Sequence, residues 1–582
     1  MSTFQLAGSR AWTWQVVLAG VYALVSFTVL VVAVPVLLGP GIAITGGDAG
    51  NWLAIGQELM GAHVKAASVI YPPMVPGTIQ IAQFILDPVV AARVVGVASL
   101  SIAGAGFVFA FRALLGARLT IIGAIAFTLC GWLSETFVFG GYPQIVGTGT
   151  TLAGVAALVG GLLTNRTRLL LLAAGAFAAT VAASYTAIVY TTTIYGVAFI
   201  LVCLFHRHWR QTLRNGALTA VAIAVSSSPF VPIYWQFAQI SSPYLDPNPT
   251  LATAVDQYLF AVSDAPLLWS LMYVLATYAP IPLWRSGRKQ FALTLVSIQV
   301  GSIVAFLVMH FVPRMLLPLN AWGIVGCLVL IKTWVGRLTP DAPVLRQVAT
   351  MVVAGALCLV IADVGVARFK SAAAWYGSMT HDEIVAMEWL KANSSPGTLT
   401  ATSPTRDGFQ LAWWVEGLAQ RRSYATADFR FLNVAQERRD ATVAREIFAT
   451  EKPEDAASLA ALYGVQYLII DRKAQLGAWP AWLSRDSDEN ALDQVFVNSA
   501  VRVLRISDTL FKPRRVAIAE VYRQLLGHAP DYSVLVKFDE SGADLSTVVG
   551  QVFCSPESVQ LHEERRDPCD RIGQRGGAPA GI

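Results

Sequence analysis

WQVVLAGVYALVSFTVLVVAVPVLL, residues 14–38, contains no Asp, Glu, Lys or Arg. At 1.5 Å per residue it exceeds the roughly 20 residues that cross a bilayer, and it is too long for the apolar core of a secretory signal. It therefore reads as a membrane anchor that stays attached. Further runs of the same kind follow at 89–111, 119–139, 143–163, 168–186, 187–205, 216–237, 266–284, 291–312, 315–335 and 347–367, for about eleven transmembrane helices. The split between the fifth and sixth runs falls near Tyr185 to Thr193.

Composition agrees. Of 582 residues, 55% are hydrophobic and 14% charged, too apolar for a soluble protein of this length. The charged residues concentrate after Ala367, where the chain takes on the composition of a globular domain. The net charge of +5 does not indicate nucleic-acid binding, because the basic residues before Ala367 sit in short loops between apolar runs. Arg112 and Arg118, Arg166 and Arg168, Arg207 with Arg210 and Arg214, Arg285 with Arg288 and Lys289, and Lys332 with Arg337 and Arg346 all fall on one side. The other side carries Lys65, Arg93 and Arg314 among Asp48, Asp87, Asp246, Asp256 and Asp264. The excess of Lys and Arg marks the cytoplasmic face, so the sequence predicts a cytoplasmic amino terminus in a multi-pass cell-membrane protein. An odd number of spans then places the last segment outside the cytoplasm.

These patterns predict a transmembrane domain over 1–367, an extracytoplasmic α/β domain over 368–572 and a disordered tail over 573–582. Within the terminal domain, a helix is expected at Asp382–Lys391, strands at Thr398–Thr402, around Arg422–Thr426 and at Tyr467–Asp471, and helices at Ala441–Phe448 and Glu454–Tyr463. Cys554 and Cys569 read either as a disulfide closing a short loop or as two separate thiols. Trp413-Trp414 and Arg421-Arg422-Ser423-Tyr424 read as a saccharide platform or as buried aromatic packing.

Two external loops are long, 39–88 and 238–265. In the first, Asp48 lies in Gly46-Gly47-Asp48-Ala49-Gly50, ahead of a stretch whose apolar residues Trp52, Ile55, Leu59 and Met60 suit an interfacial helix. Tyr71-Pro72-Pro73 with Pro76-Gly77 then predicts a stiff, non-helical turn back to the membrane. Asp48 reads as a general base at the headgroup boundary, or as a cap of the helix it precedes. Glu135, an ionisable residue inside apolar sequence, is followed by Gly140-Gly141-Tyr142-Pro143-Gln144. That turn would present Glu135, Tyr142 and Gln144 to sugar hydroxyls or a divalent cation, unless the carboxylate only reaches for water.

An acidic residue in the loop after the first helix, a juxtamembrane helix, the Tyr71-Pro72-Pro73 turn, many spans and a terminal α/β domain resemble the GT-C superfamily of membrane glycosyltransferases. Protein O-mannosyltransferases, the lipid A aminoarabinose transferase and oligosaccharyltransferases are members. Trp389-Leu390 with Ser395-Pro396-Gly397, and Tyr463-Gly464-Val465-Gln466-Tyr467-Leu468-Ile469-Ile470-Asp471, are similar to phrases by which such proteins build their terminal domain. The resemblance implies inverting transfer of a sugar from a polyprenyl-phosphate donor to a hydroxyl of a cell-envelope glycan, lipid or protein, with Asp48 as base. Arg314, in His310-Phe311-Val312-Pro313-Arg314, would hold the departing phosphate, aided by Lys65 and His310; otherwise Arg314 is an arginine snorkelling from a helix end. Tyr71 would contribute to the sugar site. The chain lacks the paired acidic motif by which oligosaccharyltransferases bind metal, and Ala49 stands where many relatives have a second acidic residue. The base would then act alone, and a Mg or Mn ion is an open expectation. A transporter or flippase of lipid-linked sugars, or a non-catalytic sensor with an external binding domain, are the rival readings.

Overall fold

A computed structural model describes residues 9–39, 41–62, 71–239, 250–310, 312–339, 341–376, 379–404, 409–425, 435–450, 452–471, 491–528, 530 and 532–561. The chain forms two compact units, one ending at His381 and one running from Asp382.

The first unit is a helical bundle. Among the described residues nine helices are long and apolar enough to cross a membrane: Trp14–Leu38, Pro88–Leu115, Tyr142–Thr164, Tyr185–Phe205, Trp209–Trp235, Pro266–Arg285, Lys289–Val308, Pro313–Leu338 and Pro343–Trp375. The bent pair Ala117–Thr128 and Gly131–Val138 makes a tenth when the two are taken as one span, and the shorter apolar helix Thr167–Ala183 accounts for the remaining run. The protein is thus a multi-pass membrane protein. Because lipid supplies no hydrophobic drive between helices, polar side chains fasten them: Thr150 to Thr180 at 2.7 Å and Thr148 to Tyr190 at 3.0 Å.

Three local expectations need correction. The third run is not one helix. It bends by 47° between Thr128 and Gly131, and the Leu129 carbonyl, deprived of its helical partner, accepts instead from Ser134 Oγ at 3.3 Å. Gly365 makes room for this carbonyl, since a Cβ there would collide with Leu129 O. In the first loop, Pro76 and Gly77 lie inside a helix, Met74–Ala82; a proline in the first turn leaves no helical hydrogen bond unmade, so only Tyr71 to Pro73 turn. The preceding helix, Gly47–Leu59, buries the first part of its apolar face in protein, while Leu59 and Met60 at its end are exposed. Ala49, Trp52, Leu53, Ala54 and Ile55 are all buried, and Gly56 brings it down onto the Pro76 carbonyl. The expected split near Tyr185 is at Ser184, whose hydroxyl caps the Tyr185–Phe205 helix by accepting from Ala187 N.

A two-stranded antiparallel ladder closes this unit: β1 (Ile42–Ile44) pairs with β2 (Met379–Thr380). It ties the start of the first loop to the chain leaving the last helix, two residues before the glycines that carry Asp48.

The second unit is α/β. Its sheet has the order β4-β3-β5-β7-β6, from β3 (Leu399–Thr402), β4 (Arg422–Ser423), β5 (Tyr467–Asp471), β6 (Leu492–Val497) and β7 (Val501–Ile506). β3 is parallel to β4 and β5, and β7 is antiparallel to β5 and β6. Leu468 and Ile470 of β5 pack with Ala456, Ala460 and Ile518 from the helices Pro453–Leu462 and Pro513–Leu526. Trp414 is buried, and Arg421 is a clamp within the unit, donating to the carbonyls of Lys391, Ser394 and Gln420 at 2.6, 2.5 and 2.9 Å. Cys554 is disulfide-bonded; Cys569 lies outside the described residues.

Candidate active site

The turn Phe139-Gly140-Gly141, which links Gly131–Val138 to Tyr142–Thr164, organises the acidic end of the first unit. Gly140 has φ +95°, a conformation open to glycine, and a Cβ on it would lie 2.8 Å from both Ala49 N and Asp48 Cβ. Asp48, in the first turn of Gly47–Leu59, is therefore laid directly on the turn. One helical turn further on, Trp52 Nε1 donates to Gly140 O at 2.6 Å and fixes the register of the two segments. Gly46, at φ +83°, has the Phe139 and Val138 carbonyls against it.

The other side of the turn carries positive charge. The guanidinium of Arg314 sits over the Phe139 ring, 4.6 Å from its centroid. Arg314 is held there by the short 3-10 helix Pro313–Leu316 that opens the Pro313–Leu338 span. His310, just before it, has a φ of +47°. Asp48 and Arg314 thus lie against adjacent residues of one turn, although 266 positions separate them in sequence.

Glu135 is buried and both its oxygens are engaged. Arg368 Nε donates to Oε2 at 2.6 Å and forms an ion pair with it, and the Tyr376 hydroxyl donates to Oε1 at 2.8 Å. Arg368 also donates to Ser263 Oγ at 2.6 Å. The Tyr376 ring lies tilted against Phe139, centroids 5.6 Å apart, so this network buttresses the turn. Gln144 goes elsewhere, donating to Thr186 Oγ1 at 3.4 Å, and the turn does not bring Glu135 and Gln144 onto a common partner among the described residues. Arg368 and Tyr376 were not singled out from sequence. The available signal was charge complementarity: a glutamate inside the end of one apolar run and an arginine directly after the end of another on the same side.

Tyr71 begins an aromatic row. Its ring lies 4.4 Å from Trp52 and 4.9 Å from Tyr185, which in turn lies 5.0 Å from Tyr234. The row runs from the Asp48 helix to the Val231–Gln239 helix. Tyr142 is fully buried against Phe137 at 5.5 Å. Asp264 accepts from Trp269 Nε1 at 3.3 Å, and burial raises its proton affinity against the opposing pull of that N–H and of Arg368. Lys65 lies outside the described residues.

Glu135 is consumed by Arg368 and Tyr376, and among the described residues no three His, Cys, Asp or Glu side chains converge.

No family model matches the chain, and no curated protein sequence matches it. Its fold does match solved structures. ArnT from Cupriavidus metallidurans in the apo state superposes with a TM-score of 0.52 over 87% of this chain and 100% of that one, at 14% identity. The same protein bound to undecaprenyl phosphate gives 0.49 over 87% and 100%, at 13% identity. The oligosaccharyltransferase AglB from Archaeoglobus fulgidus, in complex with an inhibitory peptide and a dolichol-phosphate, gives 0.49 over 79% and 70%, at 12% identity. At 14% identity, the likeness to apo ArnT is a likeness of fold.

Proposed function

We propose that the chain is a membrane glycosyltransferase that moves a sugar from a polyprenyl-phosphate donor to an acceptor hydroxyl at the external face of the membrane, with inversion. The observation that carries this reading is the placement of a carboxylate and a guanidinium on neighbouring residues of one glycine turn, Asp48 on Gly140 and Arg314 on Phe139. Such a pair answers the two demands of the reaction. Asp48 removes the proton of the acceptor hydroxyl as its oxygen bonds to the anomeric carbon. The bond from that carbon to the phosphate oxygen breaks with its electron pair, and Arg314, with His310, neutralises the charge left on the phosphate. Tyr71, only partly buried, contributes to the sugar site, and the buried Tyr142 and Gln144 support it. Glu135 holds Arg368 and Tyr376 and so keeps the turn in place, and no step is routed through a metal. In this reading the amino terminus is cytoplasmic and the terminal α/β unit extracytoplasmic, which the Lys and Arg distribution supports.

The test is transfer by purified protein in nanodiscs with a panel of polyprenyl-phosphate sugars, comparing wild type with Asp48→Asn. A loss of about a thousandfold or more in the variant, with unchanged thermal unfolding, is expected. Equal turnover would remove Asp48 as base; no consumption of any donor by the wild type would favour the transporter or sensor.

A further inference from the structure

Two cations converge on the carboxyl end of the Pro88–Leu115 span. Lys332 Nζ donates to Leu114 O and Leu115 O, both at 3.4 Å, and Arg288 Nη1 donates to the same Leu114 O, also at 3.4 Å. They come from different elements, Lys332 from the Pro313–Leu338 span and Arg288 from the position just ahead of the Lys289–Val308 helix. The carbonyls at a helix end carry only about half a negative charge, so they attract these side chains without neutralising them. Two like charges that share one carbonyl repel each other. Nothing on the contributing segments answers them, since no Asp or Glu occurs from 88 to 134 or from 265 to 340. Among the described residues neither cation forms an ion pair. Both side chains are exposed, so their remaining N–H donors are open to a ligand.

The surroundings are those of a membrane surface. Lys289 Nζ lies 5.1 Å from the centroid of the Trp284 ring, and Trp284 meets Phe205, at the end of the Tyr185–Phe205 helix, with centroids 5.1 Å apart. Phe205 and Trp334, the latter two positions beyond Lys332, are 54% and 55% exposed. Aromatic rings at span ends sit at headgroup level. A ligand at this place brings an anion to a rim of rings with apolar helix alongside, which fits a phospholipid better than a free phosphate.

We propose that Arg288 and Lys332, with Lys289 at the rim, bind the headgroup phosphate of an anionic phospholipid, and that this lipid ties the Pro88–Leu115, Lys289–Val308 and Pro313–Leu338 helices together at the end of the bundle where lysine and arginine collect. The phosphate supplies the negative charge that the helix end provides only in part. Snorkelling side chains ordinarily reach outward to separate headgroups; here two of them turn to one point. The site takes no part in sugar transfer, and the proposal stands apart from the glycosyltransferase reading.

The experiment titrates the purified protein in detergent with phosphatidylglycerol or phosphatidylcholine and counts bound lipid by native mass spectrometry, with inorganic phosphate as a third arm. The wild type should hold one phosphatidylglycerol about tenfold or more tighter than phosphatidylcholine, and the preference should shrink as salt is added. Arg288→Gln and Lys332→Gln should each weaken phosphatidylglycerol about fivefold and leave phosphatidylcholine unchanged. Arg288→Lys combined with Lys332→Arg keeps both charges and should keep the preference. Arg166→Gln combined with Arg168→Gln removes two charges from another loop of the basic side and should keep it as well. Phosphatidylglycerol should raise the thermal midpoint of the wild type more than that of Arg288→Gln. A wild type with no preference for phosphatidylglycerol overturns the proposal whatever the variants do. So does a preference lost equally in the Arg166 and Arg168 variant, which would make it a property of total charge. Displacement of the lipid by millimolar inorganic phosphate overturns it too, because the site would then be one for a free anion.

Discussion

Gly140→Ala isolates the contribution of the turn to the placement of Asp48. The new methyl carbon would stand 2.8 Å from Ala49 N and Asp48 Cβ, about 0.6 Å inside the 3.4 Å at which ordinary contact begins. The neighbours there are backbone and a Cβ at a helix start, not the tip of a flexible chain. The backbone also has to keep φ at +95°, which costs an alanine on the order of 1–2 kcal/mol; escaping it would swing the Gly140 carbonyl away from Trp52 Nε1. Either route moves Asp48 by a sizeable fraction of an ångström, and a misplacement of about 1 Å costs about a hundredfold in rate. The expected result is a kcat lowered by about tenfold to a hundredfold in the nanodisc transfer assay, with protein that remains folded. Gly20→Ala, with nothing within 4 Å of the added carbon, is the matched control and should be neutral. Wild-type kcat in a folded Gly140→Ala protein would refute the idea that this turn positions the base.

Two further outcomes concern the buttress. Arg368→Met leaves the Glu135 carboxylate buried without its cation and should destabilise the bundle by about 3–5 kcal/mol, whereas Glu135→Gln with Arg368→Met should recover most of it. A cycle of unfolding measurements in detergent reads the coupling, and an unaltered single variant would contradict the assignment. Asp264 has its proton affinity raised in the folded protein, so its contribution to stability is present below the unfolded value of about 3.9 and is lost as pH rises through the folded one. Asp264→Asn should therefore gain on wild type in thermal stability as pH climbs from about 4 towards neutrality, and a constant difference across that range would show that the carboxyl is not desolvated as described.

The bundle was legible because span length is a one-dimensional signal: each apolar run found its helix. The strand Tyr467–Asp471 was equally plain, since Leu468, Ile469 and Ile470 are all buried and the run has no period to misread. β7, Val501-Arg502-Val503-Leu504-Arg505-Ile506, carried a partial alternation that was passed over, and its partner β6 hid behind a register irregularity between Gln494 and Phe496. Hydropathy could not reveal the break at Leu129, because both halves of that span are apolar. At the site, Asp48, Glu135 and Arg314 stood out as charges at the edges of apolar sequence. Their relationships did not, since Arg368 reaches Glu135 across 233 positions.

The broken third span has a consequence for how the protein is made. Residues 117–128 and 131–138 are each too short to cross a bilayer alone. Between them sits the Leu129 carbonyl, which meets Gly365 of the Pro343–Trp375 helix only when that last apolar helix has left the ribosome. Until then an irregular stretch of backbone must be sheltered from lipid by the insertion machinery or by neighbouring helices. Assembly of the bundle is thus completed from its carboxyl end, and truncation before Gly365 should leave an amino-terminal fragment prone to capture by membrane quality control.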